Sequence, residues 1–322
     1  MQRHKHLLLA GLLICTPAGS TNWGFYAHRK INRTAVFTLP PPMIVFYKRN
    51  LDYITSHAVN ADKRRYVLED EAARHYFDAE NYGPFFPEGT PPDWQEAEQQ
   101  FPASHFQEHG ILPWHIIRMT HRLTDAFLRR DSVRILRYSA DLGHYLADAH
   151  VPLHTTENYN GQLSDQTGIH AFWESRLPEL FATGYDLFTG KAHYIRNIPQ
   201  ETWRIVRDSH KLVDSVLRIE KELSREFPAD RKYTVFLKNN RTVKNYSEHY
   251  SALYQKRLQG MVERRLTQAI LAIGSFWFTA WVNAGQPSLQ NLEYRALSPE
   301  EKQLEEKTNG DPAGRSMLGR KE

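Results

Sequence analysis

The chain has 322 residues, of which 41% are hydrophobic, 12% aromatic and 24% charged. That balance excludes a fibrous, low-complexity or largely disordered protein, and leaves enough apolar residues for one substantial core or two small ones. A net charge of +4 is too small to argue for a nucleic-acid surface, and a lone cysteine excludes a disulfide framework or a thiolate metal cluster.

Residues 1–22 read as a signal peptide. Arg3 and Lys5 form a basic start, and residues 7–15 form an apolar run too short to span a bilayer. Its removal would bring the net charge to about +2 and would take away Cys15. The expected location is therefore outside the cytoplasm, periplasmic or secreted. Lipid attachment at Cys15 is the lesser alternative, because Ile14 is bulky where a small residue is expected. No later stretch is long and uncharged enough to predict a transmembrane segment in the mature chain. One domain is expected over 23–285, because no Gly/Ser-rich linker divides it, followed by a mobile polar tail over 286–322.

The domain opens with WGFYAH, which places Trp23 and His28 close together. Alone, Trp23 reads as a core aromatic. The triple proline in TLPPPM is a breaker. Beyond it, Ile44, Phe46, Leu51, Ile54 and Val59 recur at helical spacing, with His57 an ordinary helix residue. Asp62, beside Lys63 and Arg64, reads as a helix-surface charge, and His75 opens the run HYFDAEN. Residues 82–114 are rich in Pro, Gly and aromatics and predict a long ordered loop. Its Tyr82, Phe85, Phe86 and Trp94 suit either a cleft wall or a small core under the loop. His105, His109, His115 and His121 show no paired pattern.

Two helices are predicted over 113–130 and 132–151, with Asp131 or Ser132 as N-cap of the second. The second carries His144 and Asp148, four residues apart and so on one helix face. His154 follows beyond Pro152, and a short helix over 168–181 carries His170 and Glu174, again four apart. One such pair is ordinarily a surface pair. Two pairs with a histidine between them, interleaved with Leu142, Leu146, Val151, Phe172 and Trp173, place ionisable groups on buried faces. Buried ionisable groups need partners, and imidazole and carboxylate are the ligands zinc takes when no thiolate is offered. An amphipathic helix is predicted over 201–226 and a long buried helix over 247–284, ending near Gly285 and Pro287. The expected fold is all-α, a single helical domain with long loops.

The run from His144 to Glu174 resembles the His-x3-Asp-x5-His, loop, His-x3-Glu pattern of the zinc-dependent phospholipase C and single-strand nuclease superfamily. The likeness extends in outline over 23–285, but only the motifs are specific. It implies a cluster of three zinc ions. Asp62, His75, His144 and Asp148 would hold the first, and His154, His170 and Glu174 the second. The third would take His28 and the amino group and carbonyl of Trp23, sharing Asp148. It further implies hydrolysis of phosphodiesters by metal-activated water, with Asp62 the candidate for steering that water. Three protein ligands at the second site leave a position open, as catalytic zinc sites do.

Glu174, the His154-to-His170 spacing and HYFDAEN are similar to phospholipase C, whereas the short Trp23-to-His28 spacing is similar to the nuclease. Tyr26 and Lys63 replace two residues of the phospholipase's choline pocket. The implied substrate is a phospholipid, with single-stranded nucleic acid as the alternative. A metal-stabilised binding protein without turnover is the rival from another class.

Overall fold

The computed structural model describes residues 24–83, 86, 89–238, 241–293, 295, 297–309 and 317–320. The expected signal peptide, Cys15, Trp23 and Phe85 lie outside the described residues.

The chain begins with α1 (Gly24–Ala35), α2 (Pro41–Arg49), α3 (Leu51–His57) and α4 (Asn60–Arg64). The prolines expected only to break structure instead start α2: Pro40 is its N-cap and Pro41 stands where no N–H is needed. The stretch expected as a loop over 82–114 contains α5 (Trp94–Gln100) and α6 (Ala103–His109). Asp93 caps α5 by accepting from the Gln95 and Glu96 amides, a signal masked by the surrounding prolines. Tyr82, Phe86 and Trp94 join Phe77, Phe106, Trp114 and Trp203 in an aromatic cluster, with Tyr82 buried and Trp94 half-buried where it also lines surface pockets.

The two predicted helices are α7 (Leu112–Leu128) and α8 (Ser132–Ala149), with Asp131 accepting from the Arg134 amide as the cap of α8. A 3-10 turn at Pro152–Thr155 precedes α9 (Ile169–Ala171). That helix runs through a π turn at Phe172–Arg176 into α10 (Leu177–Phe181). Pro178 accounts for the widened turn, because it cannot donate to the Glu174 carbonyl and its ring crowds that oxygen.

Two predicted long helices are each broken. The stretch 201–226 divides into α11 (Ile198–His210) and α12 (Val213–Glu226), and 247–284 into α13 (Glu248–Arg257) and α14 (Met261–Asn283). Gln259 and Gly260 both take positive φ between α13 and α14, where a helix cannot continue. Between α12 and α13 lies a hairpin that periodicity did not show, β1 (Tyr233–Lys238) paired antiparallel with β2 (Arg241–Tyr246).

α8 is buried on nearly every side, packed against α7, α14, α3 and α1. α14 is the other pillar of the core and touches α7, α8 and α1. One continuous apolar cluster joins residues from Ile31 to Leu289, so the chain forms a single all-α domain. Polar bonds fix the helices in register: Trp277 donates to the Ser139 carbonyl at 3.0 Å, and Asn32 donates to the Ala140 carbonyl at 3.1 Å. Among the described residues no helix is long and apolar enough to cross a membrane.

The segment expected as a mobile tail is packed where it is described. α15 (Pro299–Asn309) lies against α4, with Glu305 3.1 Å from His57. The Leu318 amide donates to the Arg65 carbonyl at 2.8 Å. Among its described charges, Glu305 and Arg320 meet His57 and Asp78 of the domain.

Candidate metal centre

α8 presents His144 and Asp148 one turn apart, both fully buried. His144 Nδ1 donates to the Ala58 carbonyl at 2.8 Å, so its Nε2 faces inward. There it lies 3.1 Å from His75 Nδ1, 3.3 Å from Asp148 Oδ2 and 3.7 Å from Asp62 Oδ1. His75 Nδ1 lies 3.0 Å from the same Asp148 oxygen and 3.8 Å from Asp62 Oδ1. α4 brings Asp62 to this group, and the turn after Glu69–Arg74 brings His75.

A second group forms where the Pro152–Thr155 turn faces α9. His154 Nδ1 donates to the His75 carbonyl at 2.6 Å, which again turns Nε2 inward. His154 Nε2 and His170 Nε2 stand 3.1 Å apart, and Glu174 Oε2 lies 3.2 and 2.7 Å from them. Between the two groups α1 inserts His28. Its Nε2 is 3.3 Å from Asp148 Oδ1 and 3.4 Å from Glu174 Oε1, and its ring stacks on His144 at 4.0 Å. Each oxygen of Asp148 thus faces a different group, and so does each oxygen of Glu174. The second sharing, by Glu174, has no counterpart in the sequence reading.

Ligand atoms about 2.0–2.1 Å from one tetrahedral ion stand roughly 3.3 Å from each other. The observed separations of 2.7–3.8 Å lie around that value. A proton between imidazole and carboxylate would also draw the two together. A proton shared between two imidazoles, one ring donating and the other accepting, gives the same 3.1 Å spacing for His144 with His75 and for His154 with His170. The buried His28 Nδ1, His75 Nε2 and His170 Nδ1 have no hydrogen-bond partner, so the bonded faces of these rings are the ones turned to the cluster. The residues present therefore fit metal ions, in the groups His28/His144/Asp148, Asp62/His75/His144 and His154/His170/Glu174.

Electrostatics follow from burial. Burial pushes Asp148 up, but the His144 and His154 charges outweigh it and hold the carboxyl well below its usual range. Glu174 is held down in the same way by His154, with bonds from His170 and His28. Burial depresses His144, yet Asp148 and Asp62 together raise it to about 9. For His75 burial wins and its pKa is lowered.

No model of a known protein family matches the chain, and no curated protein matches it either. The site is accordingly read from its own geometry.

The sequence reading missed what stands behind His75. Glu71 is fully buried, 3.8 Å from His75 Nε2, and accepts from Tyr145 at 2.5 Å and from Arg74 at 2.5 Å. Arg64 lies 3.3 Å from the same carboxylate and donates to Asp141 at 3.1 Å. Burial raises the Glu71 pKa, but Arg64, His75 and Arg74 bring it down to about 2. This set stands behind His75 and acts on its ring through charge rather than through a hydrogen bond. The four-residue spacing of Glu71 and His75 was the available signal. The cluster opens to solvent through carboxylates: Asp62 is 22% exposed and Glu174 13%, while the five histidine side chains are at most 4% exposed.

Proposed function

We propose that the chain is an exported zinc-dependent phosphodiesterase, similar to phospholipase C. The observation that carries this reading is the convergence of His28, Asp62, His75, His144, Asp148, His154, His170 and Glu174 in one cluster. Asp62, His75, His144 and Asp148 would hold one zinc, His154, His170 and Glu174 a second, and His28 with Asp148 a third. The backbone amino group and carbonyl of Trp23 complete the third set in this proposal. Gly24, the next residue, supports it: a side chain placed there would begin 3.5 Å from Glu174 Oε1.

Zinc ions bound in such a set supply Lewis acidity toward phosphoryl oxygens and bring the pKa of water toward neutrality. The chain's own residues do the remaining work. Three carboxylates do not cancel the charge of three divalent ions, and neutral imidazoles add none, so the cluster attracts an anionic phosphodiester. Asp62, the most exposed of the carboxylates, is assigned to orient the attacking water and accept its proton. The ring bonds from His144 to the Ala58 carbonyl and from His154 to the His75 carbonyl fix which nitrogen faces the cluster.

The test is zinc content and turnover of bis-p-nitrophenyl phosphate, on the parent and on Asp148→Asn. An amide keeps the shape but loses the charge that faces both neighbouring groups. The variant should lose at least one zinc and about a hundredfold or more of turnover, with helical content retained. Full zinc and full turnover in the variant would remove Asp148 from the centre. A zinc-loaded parent without turnover would support the binding-protein reading instead. Parallel assays on phosphatidylcholine, other phospholipids and single-stranded DNA then divide the lipid from the nuclease reading.

A further inference from the structure

Asp78 lies three residues beyond His75 and is only 4% exposed. A buried carboxylate needs a cation or several donors to remain charged. The His109 ring stands 3.7 Å from Asp78 Oδ2, and the guanidinium on Oδ1 comes from residue 320. Arg320 donates to Asp78 Oδ1 at 2.5 Å, and its guanidinium carbon lies 4.0 Å from the Tyr76 ring centroid and 3.6 Å from that of Tyr159. It also donates to the Thr156 carbonyl at 3.4 Å. Two rings, a carboxylate and a carbonyl oxygen thus form a box around one guanidinium, with cation–π and charge-assisted contacts together.

The box borders the metal centre on several sides. Tyr76 adjoins His75, the Phe77 amide donates to the His154 carbonyl at 2.8 Å, and the Tyr159 ring is 6.3 Å from that of His170. The segment carrying Arg320 is held by two bonds to the residue after Arg64. The Leu318 amide donates to the Arg65 carbonyl, and Arg65 donates to the Arg320 carbonyl, each at 2.8 Å. Gly319 fits because a Cβ there would stand 2.7 Å from the Ala72 Cβ. The same segment is therefore tied to Arg65, the C-cap residue of α4, and α4 carries Asp62, the most exposed carboxylate of the cluster.

We infer that Tyr76, Asp78, Tyr159 and the Thr156 carbonyl form a binding site for an organic cation of guanidinium or small alkylammonium type, and that Arg320 is its intramolecular occupant. Residues 317–320 act as a strap: while Arg320 fills the box, an incoming cation is excluded, and displacement of the strap opens the box. Arg320 Nε has no partner in this arrangement, so the box uses the face of the guanidinium and its two outer nitrogens. A compact alkylguanidinium reproduces every contact. This inference does not depend on the phosphodiesterase reading, because it concerns binding alone.

Ethylguanidinium is the probe, with ethylurea as its neutral counterpart, measured by titration calorimetry on the full chain. A tethered occupant competes at an effective concentration on the order of millimolar, so Arg320→Gln should bind ethylguanidinium about tenfold or more tighter than the parent. Neither protein should bind ethylurea, and Asp78→Asn added to Arg320→Gln should abolish the gain. Equal binding by the parent and Arg320→Gln overturns the proposal, as does a gain that survives loss of the Asp78 charge. A second measurement uses the parent alone and so needs no variant to fold. Ethylguanidinium, but not ethylurea, should speed hydrogen exchange at the Leu318 amide as the strap is displaced. An exchange rate indifferent to the probe at concentrations above millimolar overturns the proposal equally.

Discussion

At the level of single residues, Glu71 sets the sharpest expectation. Its carboxyl is held at about 2 in the folded chain against an ordinary value of 4.5. A depressed carboxylate contributes stability that is complete above its unfolded pKa and disappears as pH falls through the folded one. The window here runs from about pH 4.5 down to about 2. A shift of that size corresponds to about 3 kcal/mol. Glu71→Gln should therefore unfold at lower urea than the parent at pH 7, and the gap should close across that window, with chelator present throughout. A gap that does not change with pH would show that packing, not charge, is what Glu71 supplies. The contrast with His144 and Asp148 shows which residues a sequence reveals. Their pairing depends on the four-residue helical repeat, a local rule. Glu71 shares that spacing with His75, but its bond to Tyr145, 74 residues further along, follows from no local rule.

Among the elements, the close crossing of α1 and α8 controls the middle of the cluster. Gly143 precedes His144, and a Cβ on it would stand 2.2 Å from the Asn32 side-chain oxygen of α1. Asn32 is itself buried and bonded to α8, so it cannot move aside cheaply. Gly143→Ala should push α1 off α8 and cost about 1–3 kcal/mol, despite the better helix propensity of alanine. Because α1 carries His28, metal held by His28 should weaken more than metal held by His154, His170 and Glu174. Competition with a graded chelator, followed by metal analysis, measures this. Equal weakening of all sites would place the effect in general stability. Helix existence was readable in α7, α8 and α14 because their apolar repeats are long. The breaks in 201–226 and 247–284 were not, since apolar spacing continues across them, and Gly260 is the one local mark at the second. The β1–β2 hairpin escaped for a different reason: it stands at the surface, with Val235 and Leu237 exposed, and shows no buried alternation.

Over the whole molecule, the candidate ligands run from His28 to Glu174 and draw α1, α4, α8, α9 and the π turn together. Ions bound only by the folded chain stabilise it by mass action. Saturating chelator should therefore lower the Tm by about 5–10 °C, and restored zinc should return it. A Tm indifferent to chelator would mean that the helices pack equally well around an empty set of ligands. The sequence pointed to these residues, but not to α15 and residues 317–320 folding back beside them. A polar segment carries no apolar period to reveal where it docks.

α14 contributes no candidate ligand, yet it packs against both α1 and α8, which carry His28, His144 and Asp148. Synthesis proceeds from the amino end, so every one of those ligands leaves the ribosome well before Met261–Asn283 exists. The helices that hold the histidines then lack the surface they rest on. A nascent chain at that stage offers imidazoles and carboxylates to any passing ion, without the fit that selects among them. The order of translation thus separates having the ligands from having the site, and the site is finished last, from behind.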